Sequence, residues 1–344
     1  MISKPVQELE APRYHKVIVN PRFCYFRSKS DSKSTIEAEI SYGLSRKAKF
    51  ISPKFFYDDT GSKLFELICS LPEYYLTKTE MRILHTVANE LPDNLTESHV
   101  LVELGSGSSK KTRKLLQALS KIQKRLEYYP IDISDILKDS SIRLHNEYDN
   151  LRVTGIIDQY EPALEFIKKI DNQRKIIAFL GSSLGNFEPK SAYEFLTRIY
   201  QSMRRKDLFL IGLDLVKDQK VLESAYNDSQ GITAKFNLNL LTRINREFGG
   251  DFDLDKFAHH AIFNKKSSRI EMYLKSKIKQ EVNIANLGLV LKFRKDELIN
   301  TEYSYKYTIS KIRTMAKKTG FNVIKIWTDE KNHFALALFS RENL

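Results

Sequence analysis

The residues most able to do chemistry lie in Leu101–Thr112, LVELGSGSSKKT. An apolar run ends near Glu103, breaks into Gly105-Ser-Gly107, and gives way to a helix-like stretch over 111–119. A strand, a glycine turn and a helix make a nucleotide-type loop, because glycine lets backbone approach a ligand closely. Three ligands compete for it. A phosphate cradle needs G-x-x-x-x-G-K-[ST], whereas here Lys-Lys-Thr follows one short G-x-G. A dinucleotide wants a third glycine for close helix packing, and position 110 is Lys. S-adenosylmethionine (SAM) has no phosphate; it needs an open turn and a carboxylate for its ribose hydroxyls. The next apolar run, EYYPIDIS, delivers Asp132 where that acid belongs. A nicotinamide cofactor also wants an acid there, so Asp132 alone does not discriminate. Two plainer roles compete: Glu103 as a strand-end acid paired with a base, and Asp132 as a helix N-cap.

The elements that hold these residues follow from hydrophobic period. Strand-like runs at 100–104, 126–131, 151–157, 175–181 and 208–213 alternate with helical stretches at 111–119, 134–146, 163–170 and 190–203. Such alternation predicts a parallel sheet with helices on both faces. Upstream, 36–50 reads as helical, followed by two helical patterns broken at Leu71-Pro72, with TKTE (77–80) in capping-box form. Downstream, 217–248 reads as one long helical stretch, and 258–295 alternates like antiparallel strands. A helix over 307–319 is followed by FNVIKIWTD and HFALALFS, an antiparallel pair across a DEKN turn. A parallel sheet closed by a reversed strand is the methyltransferase version of this fold. That favours SAM, with a nicotinamide enzyme left as an alternative.

Composition narrows the class. The 344 residues allow about two domains. No run approaches the ~18 apolar residues of a membrane span, and the N-terminus lacks a signal-peptide core. A cytoplasmic protein without a membrane partner is expected. Cys24 and Cys69 read as free thiols of a reducing compartment. His259 and His260, adjacent in a strand-like run, point to opposite faces, so no metal site is expected. The net charge of +13 is spread over the whole chain and interleaved with 43 acids, which reads as a solvated basic surface rather than a nucleic-acid footprint.

Several long motifs go well beyond a lone G-x-G: KFFYDDTGSKLFELICSLPEYYLTKTE, LVELGSGSSKKTRKLL, FLGSSLGNFEP, DLVKD and FNLNLLTRINREFGGDFDLDKF. On these the chain resembles the histidine-specific N-alpha-methyltransferase family of ergothioneine biosynthesis, from about residue 36 to the C-terminus. The resemblance implies a class I SAM-dependent methyltransferase core, Rossmann-like, with a terminal antiparallel hairpin and a smaller α+β substrate-binding domain. It implies conversion of L-histidine to its trimethylated betaine, hercynine. The expected layout is a loose N-terminal arm (1–35), N-terminal helices contributing to the substrate domain (36–80), the core (81–215), the inserted substrate domain (216–306), and a C-terminal helix and hairpin completing the core (307–344).

By the same resemblance, the cofactor positions fall on Gly105, Lys111, Asp132, Asp158 and Gln159. The family often has an aromatic after that second acid; here Gln159 intervenes before Tyr160. The substrate positions fall on Tyr57, Tyr74, Asn186, Tyr226, Met272, Glu302 and Ser304, with Tyr57 and Asn186 nearest the chemistry. Glu302 and Ser304, at i and i+2, share one face of a strand, where a carboxylate accepts an imidazole N–H and a hydroxyl serves the other nitrogen. The substrate is then L-histidine, the enzyme a monomer, and nucleic acid no partner. One rival is the same chemistry on another aromatic amino acid such as tryptophan. Another, prompted by the charge, is an RNA- or protein-acting methyltransferase.

Overall fold

The computed structural model describes residues 13–29, 33–95, 97–169 and 173–341. The chain divides into two compact units. The first takes residues up to 30, 79–215 and 307 onward; the second takes 31–78 and 216–306.

The first unit is built on a nine-stranded sheet. Its strands are β1 (Tyr14–Asn20), β2 (Phe23–Ser28), β4 (His99–Leu104), β5 (Leu126–Asp132), β6 (Leu151–Ile157), β7 (Arg174–Phe179), β8 (Leu208–Asp214), β14 (Asn322–Thr328) and β15 (Phe334–Ser340). Their spatial order is β1-β2-β6-β5-β4-β7-β8-β15-β14. Strands β2 to β8 run parallel, while β15 lies antiparallel to β8 and β14 antiparallel to β15. Strand β4 is buried along its whole length, as a central strand covered on both faces must be. The covering helices are α4 (Thr112–Ser120), α5 (Ile136–Glu147), α6 (Tyr160–Lys168), α7 (Pro189–Ser202), α10 (Ile309–Lys318) and the later part of α3 (Tyr75–Glu90). From β4 the chain winds outward through β5 and β6, then returns to the other side of β4 with β7. In open α/β sheets, ligands bind at such a reversal, beyond the C-terminal ends of the strands, here β4 and β7.

Three local expectations are corrected. The arm expected to be loose over 1–35 is, over 14–28, a β-hairpin whose second strand extends the sheet parallel to β6; residues 1–12 and 30–32 lie outside the described residues. Phe23 and Phe26 are fully buried and anchor it. The TKTE segment is no helix start: α3 already begins at Tyr75. The stretch 217–248 is two helices, α8 (Gln219–Ser224) and α9 (Ile232–Phe248), separated by a turn through Gly231 at φ +67°.

The second unit holds α1 (Lys33–Leu44), α2 (Asp59–Ile68), α8 and α9, packed with a four-stranded sheet ordered β3-β13-β10-β9. Here β3 is Lys49–Phe50, β9 Phe257–Asn264, β10 Arg269–Ser276 and β13 Leu298–Tyr305; a separate hairpin pairs β11 (Gln280–Ile284) with β12 (Leu289–Phe293). Its core gathers Phe55, Phe56, Phe236, Leu240, Ile270 and Met272.

Candidate active site

In the first unit, the glycine loop leaves β4 with Gly105 at φ +70° and Gly107 at φ +48°, a region that favours glycine. A side chain at Gly105 would stand 2.9 Å from the Tyr160 hydroxyl, so glycine is needed for close packing there. A Cβ at Gly107 would meet nothing within 4 Å: the loop faces open space on that side. Glu103 does not pair with a base. Its buried carboxyl accepts hydroxyls from Thr112 and Tyr128, and burial pushes it up to about 7 against those bonds. It braces the start of α4 from below the loop.

Asp132 ends β5. One oxygen accepts the Gly107 N–H at 3.0 Å; the other accepts the Ser134 N–H and hydroxyl. It does not cap α5, which starts at Ile136. A carboxylate has about four acceptor sites, so these three bonds leave Asp132 capacity for a ribose hydroxyl. Asp158, at the end of β6, is buried, and its oxygens accept the Tyr14 hydroxyl and the Gln159 N–H, both at 2.8 Å. The N-terminal hairpin thus supplies a partner to an expected cofactor acid. Gln159 itself is exposed and precedes α6 without capping it. Asn186 closes the turn after β7, half-buried, two residues beyond buried Leu184.

Lys111 is held by Glu80, which the sequence did not single out. The Glu80 carboxylate is fully buried on α3, pairs with the Lys111 ammonium at 2.6 Å, and accepts the Gly181 N–H with both oxygens at 2.8 and 3.0 Å. One acid therefore ties the loop after β4 to the loop after β7, across the point where the strand order reverses. Room for it is made by Gly212 in β8, where a Cβ would come within 2.3 Å of the carboxylate.

In the second unit the remaining expected residues converge. Met272 faces Glu302 across the β10–β13 ladder, and Ile270 faces Ser304. The Tyr226 hydroxyl donates to Ser304 Oγ at 2.9 Å. The Tyr74 ring meets those of Tyr226 and Phe65 edge-on, and Phe65 meets Tyr57 likewise. Tyr57 ends the Pro53–Phe56 turn and is followed by Asp58, which caps α2 through the Gly61 N–H. Glu302 is half-buried, and no described residue bonds its carboxylate. Burial pushes it up to about 7, and the nearby Lys306 charge pulls the other way.

Two further residues complete this cluster. Lys306, fully buried just beyond β13, donates to the Tyr226 hydroxyl at 3.1 Å and to Ser304 Oγ at 2.9 Å. His259 bonds the Tyr226 carbonyl through Nε2 at 2.7 Å, while Asn237 donates to its Nδ1 at 2.9 Å. That arrangement places its proton on Nε2, and burial lowers its pKa, keeping the ring neutral. It props the Tyr226 backbone through these bonds; among the described residues no cluster of three metal-binding side chains occurs. Neither cysteine is in a disulfide.

Each unit, taken by itself, therefore presents a candidate feature: the first an open glycine turn with an acid beside it, the second a polar strand face with a spare acceptor. A family model described as a SAM-dependent histidine-specific methyltransferase matches residues 36–341. The chain belongs to that family. It is a SAM-dependent methyltransferase of class I fold. The histidine N-alpha-methyltransferase of Mycolicibacterium smegmatis is 37% identical over 307 residues, covering 89% of this chain and 95% of the relative. Ergothioneine biosynthesis protein 1 of Schizosaccharomyces pombe is 28% identical, over 78% of this chain and 36% of that protein. The L-tryptophan methyltransferase of Psilocybe serbica is 25% identical, over 83% of this chain and 87% of the relative. No described helix of this methyltransferase is long and apolar enough to cross a membrane.

Proposed function

We propose that this enzyme methylates the α-amino nitrogen of L-histidine three times, yielding the trimethylated betaine, and that it works as a cytoplasmic monomer on the free amino acid. The observation that carries the choice of substrate is the polar face of β13. It pairs an unengaged carboxylate, Glu302, with a hydroxyl two residues on, Ser304, whose lone pairs are already supplied with donors. Along a strand that spacing is about 6.6 Å, a span that one five-membered ring with nitrogens at both sides can bridge. An indole offers one N–H and no second nitrogen, so it would leave Ser304 unpaired. Sites built to hydrogen-bond a ring reject analogues that lack the groups.

SAM supplies the methyl group: the amine nitrogen forms the new N–C bond as the C–S bond breaks, and the sulfonium leaves as a neutral thioether. The open turn at Gly105 and Gly107, the spare acceptor capacity of Asp132, Lys111 at the start of α4 and Asp158 at the end of β6 suit its adenosine and amino-acid parts, with Gln159 at the rim. The chain's main task is positioning, worth up to roughly 7–11 kcal/mol when the reacting atoms are held in line. Asn186 and Tyr74 hold the amino-acid head group. The α-amine is largely protonated at neutral pH and must lose a proton before each attack; the Tyr57 hydroxyl accepts a hydrogen bond from it and orders a water that carries the proton to solvent. The aromatic face of Tyr57 then favours the growing positive charge. Reaction stops at three because the quaternary nitrogen has no lone pair.

Purified protein incubated with histidine and SAM, followed by mass spectrometry, tests this. The expected end product is histidine bearing three methyls on the α-nitrogen. Histidine recovered unmodified, or methylated on the ring, would overturn it.

A further inference from the structure

Resting on that reading of the pocket, we infer that Lys306 is a positioning residue that fixes the direction of the Ser304 hydroxyl, so that the site accepts the imidazole only as a neutral ring in a single tautomer. A serine hydroxyl has two lone pairs and one proton. Both acceptor positions of Ser304 are filled, one by the Tyr226 hydroxyl at 2.9 Å and one by the Lys306 ammonium at 2.9 Å. An ammonium can only donate, so Lys306 fixes the sense of the chain: it donates to both oxygens, and Tyr226 passes its own proton to Ser304. What Ser304 has left to offer is its O–H.

Two residues away on the same strand face, Glu302 offers the opposite, an acceptor with no donor of its own among the described residues. A ring that satisfies both must present an N–H to Glu302 and a bare nitrogen to Ser304. An imidazolium, with two N–H groups, would aim one of them at the Ser304 proton and at the buried Lys306 charge behind it. The other tautomer would oppose a bare nitrogen to the Glu302 carboxylate. The remaining ionisable groups interacting around Tyr74 are Tyr57, Cys69 and Tyr226, besides Glu302 itself. The polarity is held in place from behind. The Lys306 ammonium sits 4.9 Å from the centre of the Tyr226 ring, and His259 and Asn237 fix the Tyr226 backbone.

The test is nitrogen NMR of ring-15N-labelled histidine bound to the enzyme with S-adenosylhomocysteine at a pH above 7, where the Glu302 carboxyl is ionised, alongside steady-state kinetics. In the wild type, one ring nitrogen should be protonated and the other bare, in one tautomer. In Lys306→Met, Ser304 regains an acceptor position, so the bound ring should become a mixture of tautomers or doubly protonated. KM for histidine should rise on the order of tenfold, with kcat changed far less. If Lys306→Met does not fold, Ser304→Ala carries the same test, because it removes the donor and should release the tautomer. A doubly protonated or mixed ring in the wild type would overturn the inference, as would a wild-type spectrum in the variants. Absence of any histidine binding would instead overturn the substrate assignment itself.

Discussion

At the scale of single residues, the selectivity proposed for the β13 face rests on groups whose protonation is set by their surroundings. Burial holds the Glu302 carboxyl near 7, above its ordinary value of about 4.3. Between those values the folded protein carries a proton that the unfolded chain does not, so ionising Glu302 costs stability as pH rises through that window. The ionised form is the one that accepts an imidazole N–H. KM for histidine should therefore fall as pH rises through about 7, and that limb should be absent in Glu302→Gln; a KM–pH profile that is the same in both would remove Glu302 from the ring contact. Tyr57→Phe should lower kcat on the order of a hundredfold, the low end for a positioned proton acceptor, with KM for SAM unchanged; undiminished turnover would place proton removal elsewhere. The family resemblance pointed to Glu302, Ser304 and Tyr226, which by spacing alone read as an exposed polar strand and a packed helix residue; it did not point to Lys306, Glu80 or His259. A lysine after a polar strand and an acid on an amphipathic helix read as surface, and only the tertiary fold shows that both are buried.

At the scale of elements, α3 does more than cover the sheet. Its Glu80 joins the two loops that flank the strand reversal. In Glu80→Gln the Lys111 ammonium loses its carboxylate while one acceptor for Gly181 remains. Charged hydrogen bonds of this sort are worth about 1.5–3 kcal/mol, so thermal unfolding should shift down by an amount of that order. KM for SAM should rise about tenfold while KM for histidine stays put; a rise in the histidine KM alone would show that Glu80 serves the substrate and not the cofactor. The alternating strands and helices were legible because buried parallel strands are continuous apolar runs, such as LVEL and LFLIG. The N-terminal hairpin was not: in β1 Val17, Ile18 and Val19 are all exposed at the sheet's edge, so no two-residue period marks it. The break between α8 and α9 was legible in principle, since Asn227, Asp228, Ser229 and Gly231 cluster between the two helical patterns.

At the scale of the molecule, the sequence intersperses both units; the proposed function assigns the cofactor to the opened glycine turn with its neighbouring acids in one, and the substrate ring to the polar face of β13 in the other. The central claim is that Glu302 and Ser304 choose an imidazole over other aromatic rings. The most direct measurement is the ratio of kcat/KM for histidine to that for tryptophan, taken for the wild type and for Glu302→Ala. The account predicts a wild-type ratio on the order of ten thousand that falls at least about a hundredfold in the variant, through loss of histidine activity. A ratio near unity in the wild type, or one that Glu302→Ala leaves unaltered, would contradict it.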